Sequence, residues 1–413
     1  MPILILKKCP FIRTALHALI SQCWALKEVP SCWKTSVTVL AYKKGDSKEP
    51  SNFRPITLQP VFYKILSALY RNRMYSFLHD NDYIDVDIQK GFWPGCDRIT
   101  EHTELLTHVL HDAKRHQRSI SIALLDLKNA FGEINHRQIK ASLEFHHLPP
   151  GVIQLFSNIY QNSSITVALG KERSKSIAVQ RGVLQDDPCS PLLFNACFNS
   201  LMMVIRQEKY STMGYLWSTV NGIKQHMWMQ FADDALIIAS NDMNAQTLLN
   251  VFNVWCTWAD MYIRIHKCNA FGMQKQNQVY AQYLPSTFIN GNLIPQIQIS
   301  KGFIYLGKYF DFNMDNATAK SEISGKLEGL LKKLSSLHIR PQTKLKLLKL
   351  AVYPMLNFEL KIYNFSKTWI TNTLDSLVHY HVRSWLELPI SSCVAELSQL
   401  PLNSCGLDLP SLA

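Results

Sequence analysis

Residues 229–238 read Met229-Gln230-Phe231-Ala232-Asp233-Asp234-Ala235-Leu236-Ile237-Ile238, two adjacent acids at the apex between two apolar runs. Apolar segments of strand type on either side of a polar pair read as a β-hairpin whose turn carries the acids. Side chains alternate along a strand, so the two neighbours point to different faces. Carboxylates this close repel each other unless a cation is present. A second segment ends in the same way: Ser121-Ile122-Ala123-Leu124-Leu125-Asp126 is a buried-strand pattern finishing in an acid, and Ala130-Phe131 follows. Mg²⁺ suits such groups, since it takes one or two carboxylates plus substrate phosphates and keeps water elsewhere. Two such ions close together serve phosphoryl transfer, one activating the attacking oxygen and one stabilising the leaving oxygen. For an isolated Asp-Asp pair the alternative is an ordinary solvated turn.

Around these segments, apolar spacing at i, i+3, i+4 predicts helices near 11–28, 61–79, 100–117, 136–146, 151–161, 190–207 and 243–262, with several more in 318–390. Strand signals fall at 36–42, 119–126, 164–169, 227–239 and 302–310. No βαβ rhythm links them and the last hundred residues are nearly all helical, which predicts an α+β fold.

With 413 residues, 47% hydrophobic and 18% charged, the chain is too apolar for a disordered basic tail and long enough for a large core in two or three lobes. Its net charge of +12 is unevenly spread. Residues 1–75 hold twelve Lys or Arg against three acids, residues 316–350 hold eight against two, and the remainder is net −3. Basic ends suit a phosphate backbone and an acid-bearing middle suits cations, with ordinary solvated helix faces as the alternative. The apolar run Ile3-Leu4-Ile5-Leu6 meets Lys7-Lys8 at once, and Leu192 to Ile205 is interrupted by Asn195 and Asn199, so no membrane span or signal peptide is expected. The ten cysteines come no closer in sequence than Cys189 and Cys197, and none forms Cys-x-x-Cys. They read as reduced, mostly core thiols of an intracellular protein.

The acids belong to a longer series of blocks. Val29-Pro30 with Trp33-Lys34 leads to Lys43-Lys44-Gly45-Asp46, Asn52-Phe53-Arg54-Pro55-Ile56 and Gln89-Lys90-Gly91-Phe92. Leu125-Asp126 through Ala130-Phe131 and His136 comes next, then Arg181-Gly182-Val183 through Asp187-Pro188-Cys189-Ser190-Pro191. Phe231-Ala232-Asp233-Asp234, Lys267-Cys268 and Tyr305-Leu306-Gly307 complete it. In these blocks, in this order over about residues 24–413, the chain resembles the reverse transcriptases of non-long-terminal-repeat (LINE-like) retrotransposons. The resemblance is strongest to the site-specific class with a C-terminal restriction-like endonuclease.

That resemblance implies a right-hand polymerase: an N-terminal extension and basic fingers over 1–118, a palm with an antiparallel sheet and a fingers insertion over 119–312, and a helical thumb over 313–413. The implied activity is RNA-directed DNA synthesis from deoxynucleoside triphosphates, on an RNA template with a DNA primer, inside the cell in nucleus and/or cytoplasm. Asp126, Asp233 and Asp234 match the acids that handle two Mg²⁺ ions, for which Mn²⁺ can substitute. Phe131 matches the aromatic steric gate under the sugar, with a core phenylalanine as the alternative. Arg54 and Lys64 match phosphate-binding fingers residues, although Lys64 also reads as a plain helix lysine. Gln185 matches a contact to the incoming nucleotide. Lys267 matches a lysine near the pyrophosphate, with a solvated lysine as the alternative. Tyr305, Leu306 and Gly307 match the primer-grip hairpin.

Two departures bear on activity. Asp186 stands where the family usually has glycine, which implies positive φ or close backbone approach and places a negative charge beside a triphosphate site. Gly132 replaces a common acid and is milder. No nuclease or zinc knuckle is recognisable, which reads as a truncated copy relying on an endonuclease supplied in trans. The competing expectation is a decayed or domesticated copy that binds RNA or RNA–DNA without polymerising.

Overall fold

A computed structural model describes residues 3–43, 45–93, 98–219 and 222–413. Lys44, from the Lys43-Lys44-Gly45-Asp46 block, and Cys96 lie outside the described residues. The chain gathers into two compact units, Met1–Arg98 with His116–Ile297 and Ile99–Arg115 with Gln298–Ala413. This grouping by compaction cuts across the fingers, palm and thumb ranges, which name roles in a polymerase.

The first unit contains β1 (Thr35–Tyr42), β2 (Phe53–Leu58), β3 (Ile120–Leu125), β4 (Ser164–Leu169), β5 (Glu172–Arg173), β6 (Ile177–Ala178), β7 (Tyr215–Thr219), β8 (Gly222–His226), β9 (Trp228–Phe231), β10 (Asp234–Ala239), β11 (Asn269–Gln276) and β12 (Val279–Tyr283). One sheet runs β2-β1-β4-β5 with β6 also on β4, and only its β1–β4 pair is parallel. The other is antiparallel throughout in the order β12-β11-β3-β10-β9. Of its three inner strands, β3 and β10 are continuous apolar runs because both faces are covered. Ala123, Leu125, Ala235 and Ile237 join one core, and the alternate residues Ile122, Leu236 and Ile238 are fully buried too. The helix Asp242–Trp258 packs along β10, and Ser190–Ile205 is the most buried helix, with Phe194 and Phe198 stacked inside it.

Most expected helices appear within two residues of their boundaries: Pro10–Leu26, Val61–Asp80, Arg98–His116, His136–Phe145, Pro150–Tyr160 and Ser190–Ile205. The helix expected to reach 262 stops at Trp258. The expected strands 36–42, 119–126 and 164–169 are β1, β3 and β4, and 227–239 folds as the β9–β10 hairpin. No helix of the described residues is long and apolar enough to cross a membrane. All nine described cysteines are free, five of them buried.

The second unit is largely helical. Ala317–Ser336 and Ser376–Trp385 close a core of Leu327, Leu331, Leu348, Leu374 and Val382. The run expected as one strand over 302–310 is a hairpin, Phe303–Tyr305 against Lys308–Phe310. Leu306 and Gly307 both have positive φ, +48° and +83°, as a two-residue hairpin turn of this hand requires.

Candidate active site

The β9–β10 hairpin has Asp234 paired with Phe231, leaving Ala232 and Asp233 as a two-residue loop. Ala232 has φ of +55°, an uncommon conformation for a residue with a Cβ. Two buried glutamines hold it. Gln89 Oε1 accepts the Ala232 amide at 2.9 Å and the Gly91 amide at 3.0 Å, while Gln230 Nε2 donates to the Ala232 carbonyl at 2.7 Å. A Cβ on Gly91 would sit 2.5 Å from the Ala232 nitrogen, so glycine is needed for that approach.

β3 delivers the third acid. Ala235 lies opposite Leu125, and continuing this register by one residue sets Asp234 across from Asp126. The three acids feel one another. Burial pushes the Asp233 carboxyl up and Asp126 adds to the rise, while Arg264 and Lys43 oppose it. Asp234 keeps a solvent-facing edge, yet its partial enclosure, followed by Asp233 and Asp126, pushes it up to about 6. Clustered acids with raised affinity for protons have a charge deficit that a cation relieves.

Asp126 is held from several sides. Its amide donates to Cys268 Sγ at 3.4 Å and its carbonyl accepts from the Arg264 amide at 2.9 Å. Arg264 Nε forms an ion pair with Asp126 Oδ2, and Nη2 donates to Oδ1 at 3.1 Å and to the Leu127 carbonyl at 3.0 Å. Three carboxylates are the oxygen donors that a hard divalent cation takes, so the residues fit such an ion chemically. Among the described residues, however, no three His, Cys, Asp or Glu side chains are drawn together closely enough to hold one ion. Asp126 faces the guanidinium instead.

Phe131 lies in the short helix Ala130–Glu133 that follows Asp126. It is half-buried, with one face stacked on Phe194 at 4.3 Å and Phe92 edge-on at 5.8 Å. Gln185 lines a cavity of about 340 Å³ together with Thr38, Thr57, Asn129 and Gly132, and its carbonyl accepts from the Thr57 amide at 3.1 Å. Next to it, Asp186 has φ of +78°, the conformation that favours glycine, and its carboxylate pairs with Lys64. Asp187 points inward. It is buried among Ser67, Tyr63, Ser190 and the Cys189 amide, and that burial pushes its carboxyl up.

Arg54 is exposed on β2 opposite Ala41, and Lys267 is exposed at the end of a short 3₁₀ turn; neither forms an ion pair with the three acids. In the second unit, Tyr305 is buried with its hydroxyl 3.1 Å from His102 Nδ1, and Leu306 and Gly307 form the hairpin turn. Sequence reasoning gave no role to Lys43, Gln89, Cys268 or Arg264. Three of them stood inside quoted blocks, and Arg264 lies three residues before Lys267.

A Pol polyprotein from the type-2 retrotransposable element R2DM of Drosophila melanogaster is 27% identical over 93% of this chain and 35% of its own length. Pol polyproteins from type-1 retrotransposable elements R2 of Nasonia vitripennis and Popillia japonica are 24% and 25% identical, over 93% and 87% of this chain and 36% and 48% of theirs. The chain thus spans about a third to a half of the length of these curated relatives. A telomerase from Candida tropicalis, solved in complex with a fragment of telomeric RNA, aligns over 89% of this chain and 56% of its own, with 12% identity and a TM-score of 0.44. The family model for reverse transcriptase (RNA-dependent DNA polymerase) matches residues 42–308, about two thirds of the sequence. With the acids placed at the end of one antiparallel sheet and that match covering all five of its strands, the chain belongs to the reverse transcriptase family.

Proposed function

We propose that this chain is the polymerase segment of a non-long-terminal-repeat retrotransposon protein and copies RNA into DNA. The observation that carries the reading is the placement of Asp126, Asp233 and Asp234 together at the end of the β12-β11-β3-β10-β9 sheet, in a chain of this family. Asp126 and Asp233, with Asp234 alongside, would hold divalent ions, Mg²⁺ or Mn²⁺, whose chemistry is to activate a primer 3′-hydroxyl and neutralise charge at the α-phosphate of a deoxynucleoside triphosphate. The chain's own residues bind and orient. Phe131 presents the edge not stacked on Phe194 to the sugar, so a 2′-hydroxyl would meet the ring. Gln185, on the wall of its cavity, contacts the nucleotide. Arg54 and Lys64 bind phosphate, Lys267 stabilises the leaving pyrophosphate, and Tyr305, Leu306 and Gly307 steady the primer end. In this reading 1–118 act as fingers, 119–312 as palm and 313–413 as thumb. The work is done in nucleus and/or cytoplasm.

One observation favours a second reading, binding of RNA or RNA–DNA without synthesis. Asp186 both adds a negative charge beside the nucleotide site and engages Lys64, removing a phosphate ligand. Primer extension on an RNA template, comparing the chain with Asp186→Gly and Asp233→Ala, separates the two. Extension by the unmodified chain, lost in Asp233→Ala, supports the polymerase. Extension by Asp186→Gly alone assigns the block to Asp186. Retained salt-sensitive RNA binding with no extension by any form supports the binding module.

A further inference from the structure

We infer that Arg264 is a built-in counter-ion which competes with a divalent cation for Asp126, so that loading the site requires Arg264 to release that carboxylate. The inference rests on Asp126 being a metal ligand and goes beyond it by naming the residue that sets the affinity. Both carboxylate oxygens of Asp126 are engaged by one planar guanidinium, Oδ2 by Nε and Oδ1 by Nη2 at 3.1 Å. Oδ2 is sealed from solvent, and neither it nor Arg264 Nε has a hydrogen-bond partner, so that arm is an ion-pair contact while the Nη2–Oδ1 arm is a hydrogen bond. A guanidinium pressed against both oxygens already supplies the positive charge that a cation would otherwise bring to this carboxylate. With Asp126 turned to the guanidinium, no three acid side chains among the described residues converge on one point.

The grip is local and reversible. Arg264 is anchored through its backbone, whose amide donates to the Asp126 carbonyl, within a short antiparallel pairing of Leu127 with Ile263. Nη2 has a second acceptor in the Leu127 carbonyl at 3.0 Å. The guanidinium can therefore keep that bond and swing off the carboxylate without any strand moving. The two side chains are 33% and 31% exposed, so solvent can complete the hydration of the released charge. Arg264 also lowers the proton affinity of Asp233, so its charge is felt by two of the three acids. A fixed positive charge there opposes entry of a second one.

The test is equilibrium Mn²⁺ binding to the full chain without nucleotide, read as free Mn²⁺ by electron paramagnetic resonance. The forms compared are the unmodified chain, Arg264→Gln, Asp126→Asn and the double variant Arg264→Gln/Asp126→Asn. Arg264→Gln should bind Mn²⁺ about tenfold more tightly, one decade of affinity being a modest electrostatic coupling. The gain should vanish in the double variant. Melting temperature supplies an independent reading. Arg264→Gln should melt below the unmodified chain in chelator, because Asp126 loses its partner, and should gain more from added Mn²⁺. Equal or weaker binding by Arg264→Gln, with binding lost in Asp126→Asn, would overturn the counter-ion role and leave the metal site standing. Equal binding by all four forms would instead refute Asp126 as a ligand, and no binding by any form, Arg264→Gln included, would overturn both.

Discussion

At the scale of single residues, the strained position and the acids around it are where function and stability oppose each other. Asp234 gives a pH-dependent test. Its folded carboxyl sits near 6, above the value of a free aspartate, so the folded state is disfavoured by this charge above that pH and recovers as pH falls through 6 toward 4. In chelator, Asp234→Asn should raise the melting temperature by about 1–2 °C at pH 7.5, a small gain because the carboxylate retains solvent. The difference should shrink to nothing by pH 4; an undiminished difference there would show that charge is not the cause. Gln89 gives the second test. Gln89→Ala leaves the buried amides of Ala232 and Gly91 without their acceptor, for about 1–3 kcal/mol per group. Chemical denaturation should register that loss, and unchanged stability would remove Gln89 as the clamp. Asp126, Asp233 and Asp234 stand out in the sequence because an acid ending an apolar strand is a local pattern. Gln89 and Arg264 do not, since their partners are 143 and 138 residues away and only folding brings them together.

At the scale of elements, uninterrupted apolar segments were legible and interrupted ones were not. β3 and β10 are uninterrupted because both faces are covered, and the major helices show clear periodicity. β2 escaped because Pro55 interrupts it, which a strand tolerates at a sheet edge, where β2 lies. β11 escaped because Gly272 breaks its pattern. In the fold Gly272 lies opposite Tyr283, and a Cβ there would meet the Tyr283 ring at 2.4 Å, so the glycine makes room for the aromatic of β12. Asp187 shows how elements are tied together. From the loop before helix Ser190–Ile205 it accepts from Ser67 and Tyr63 of helix Val61–Asp80. Asp187→Ala should cost about 2–3 kcal/mol in urea denaturation, because it strands several buried donors. A loss below about 0.5 kcal/mol would mean that the loop is held by other contacts.

At the scale of the whole molecule, the net charge of +12 conveys less than its division into basic ends and an acid-bearing middle. Asp126, Asp233 and Asp234 lie in the first unit, while Lys333 and Lys346 are exposed in the second. If the second unit binds the template–primer backbone, affinity for an RNA–DNA duplex should fall steeply with salt, and Lys333→Gln and Lys346→Gln should each reduce the logarithmic salt slope by about 1. Slopes equal to that of the unmodified chain would place the backbone contacts elsewhere. The α+β class and the family were readable because the blocks keep their order along the chain. Compaction into two units, with 99–115 joining the C-terminal part, was not, because it depends on contacts such as His102 with Tyr305 and Thr107 with Lys308, 203 and 201 residues apart in sequence. The central claim is that Asp126, Asp233 and Asp234 form one centre for templated nucleotide addition, and the most direct measurement is single-nucleotide incorporation opposite an RNA template. With Asp186→Gly as the parent, each of Asp126→Asn, Asp233→Asn and Asp234→Asn should lower the rate, the first two by at least about 100-fold, while duplex binding is kept. Incorporation undiminished in Asp126→Asn or Asp233→Asn would contradict the account.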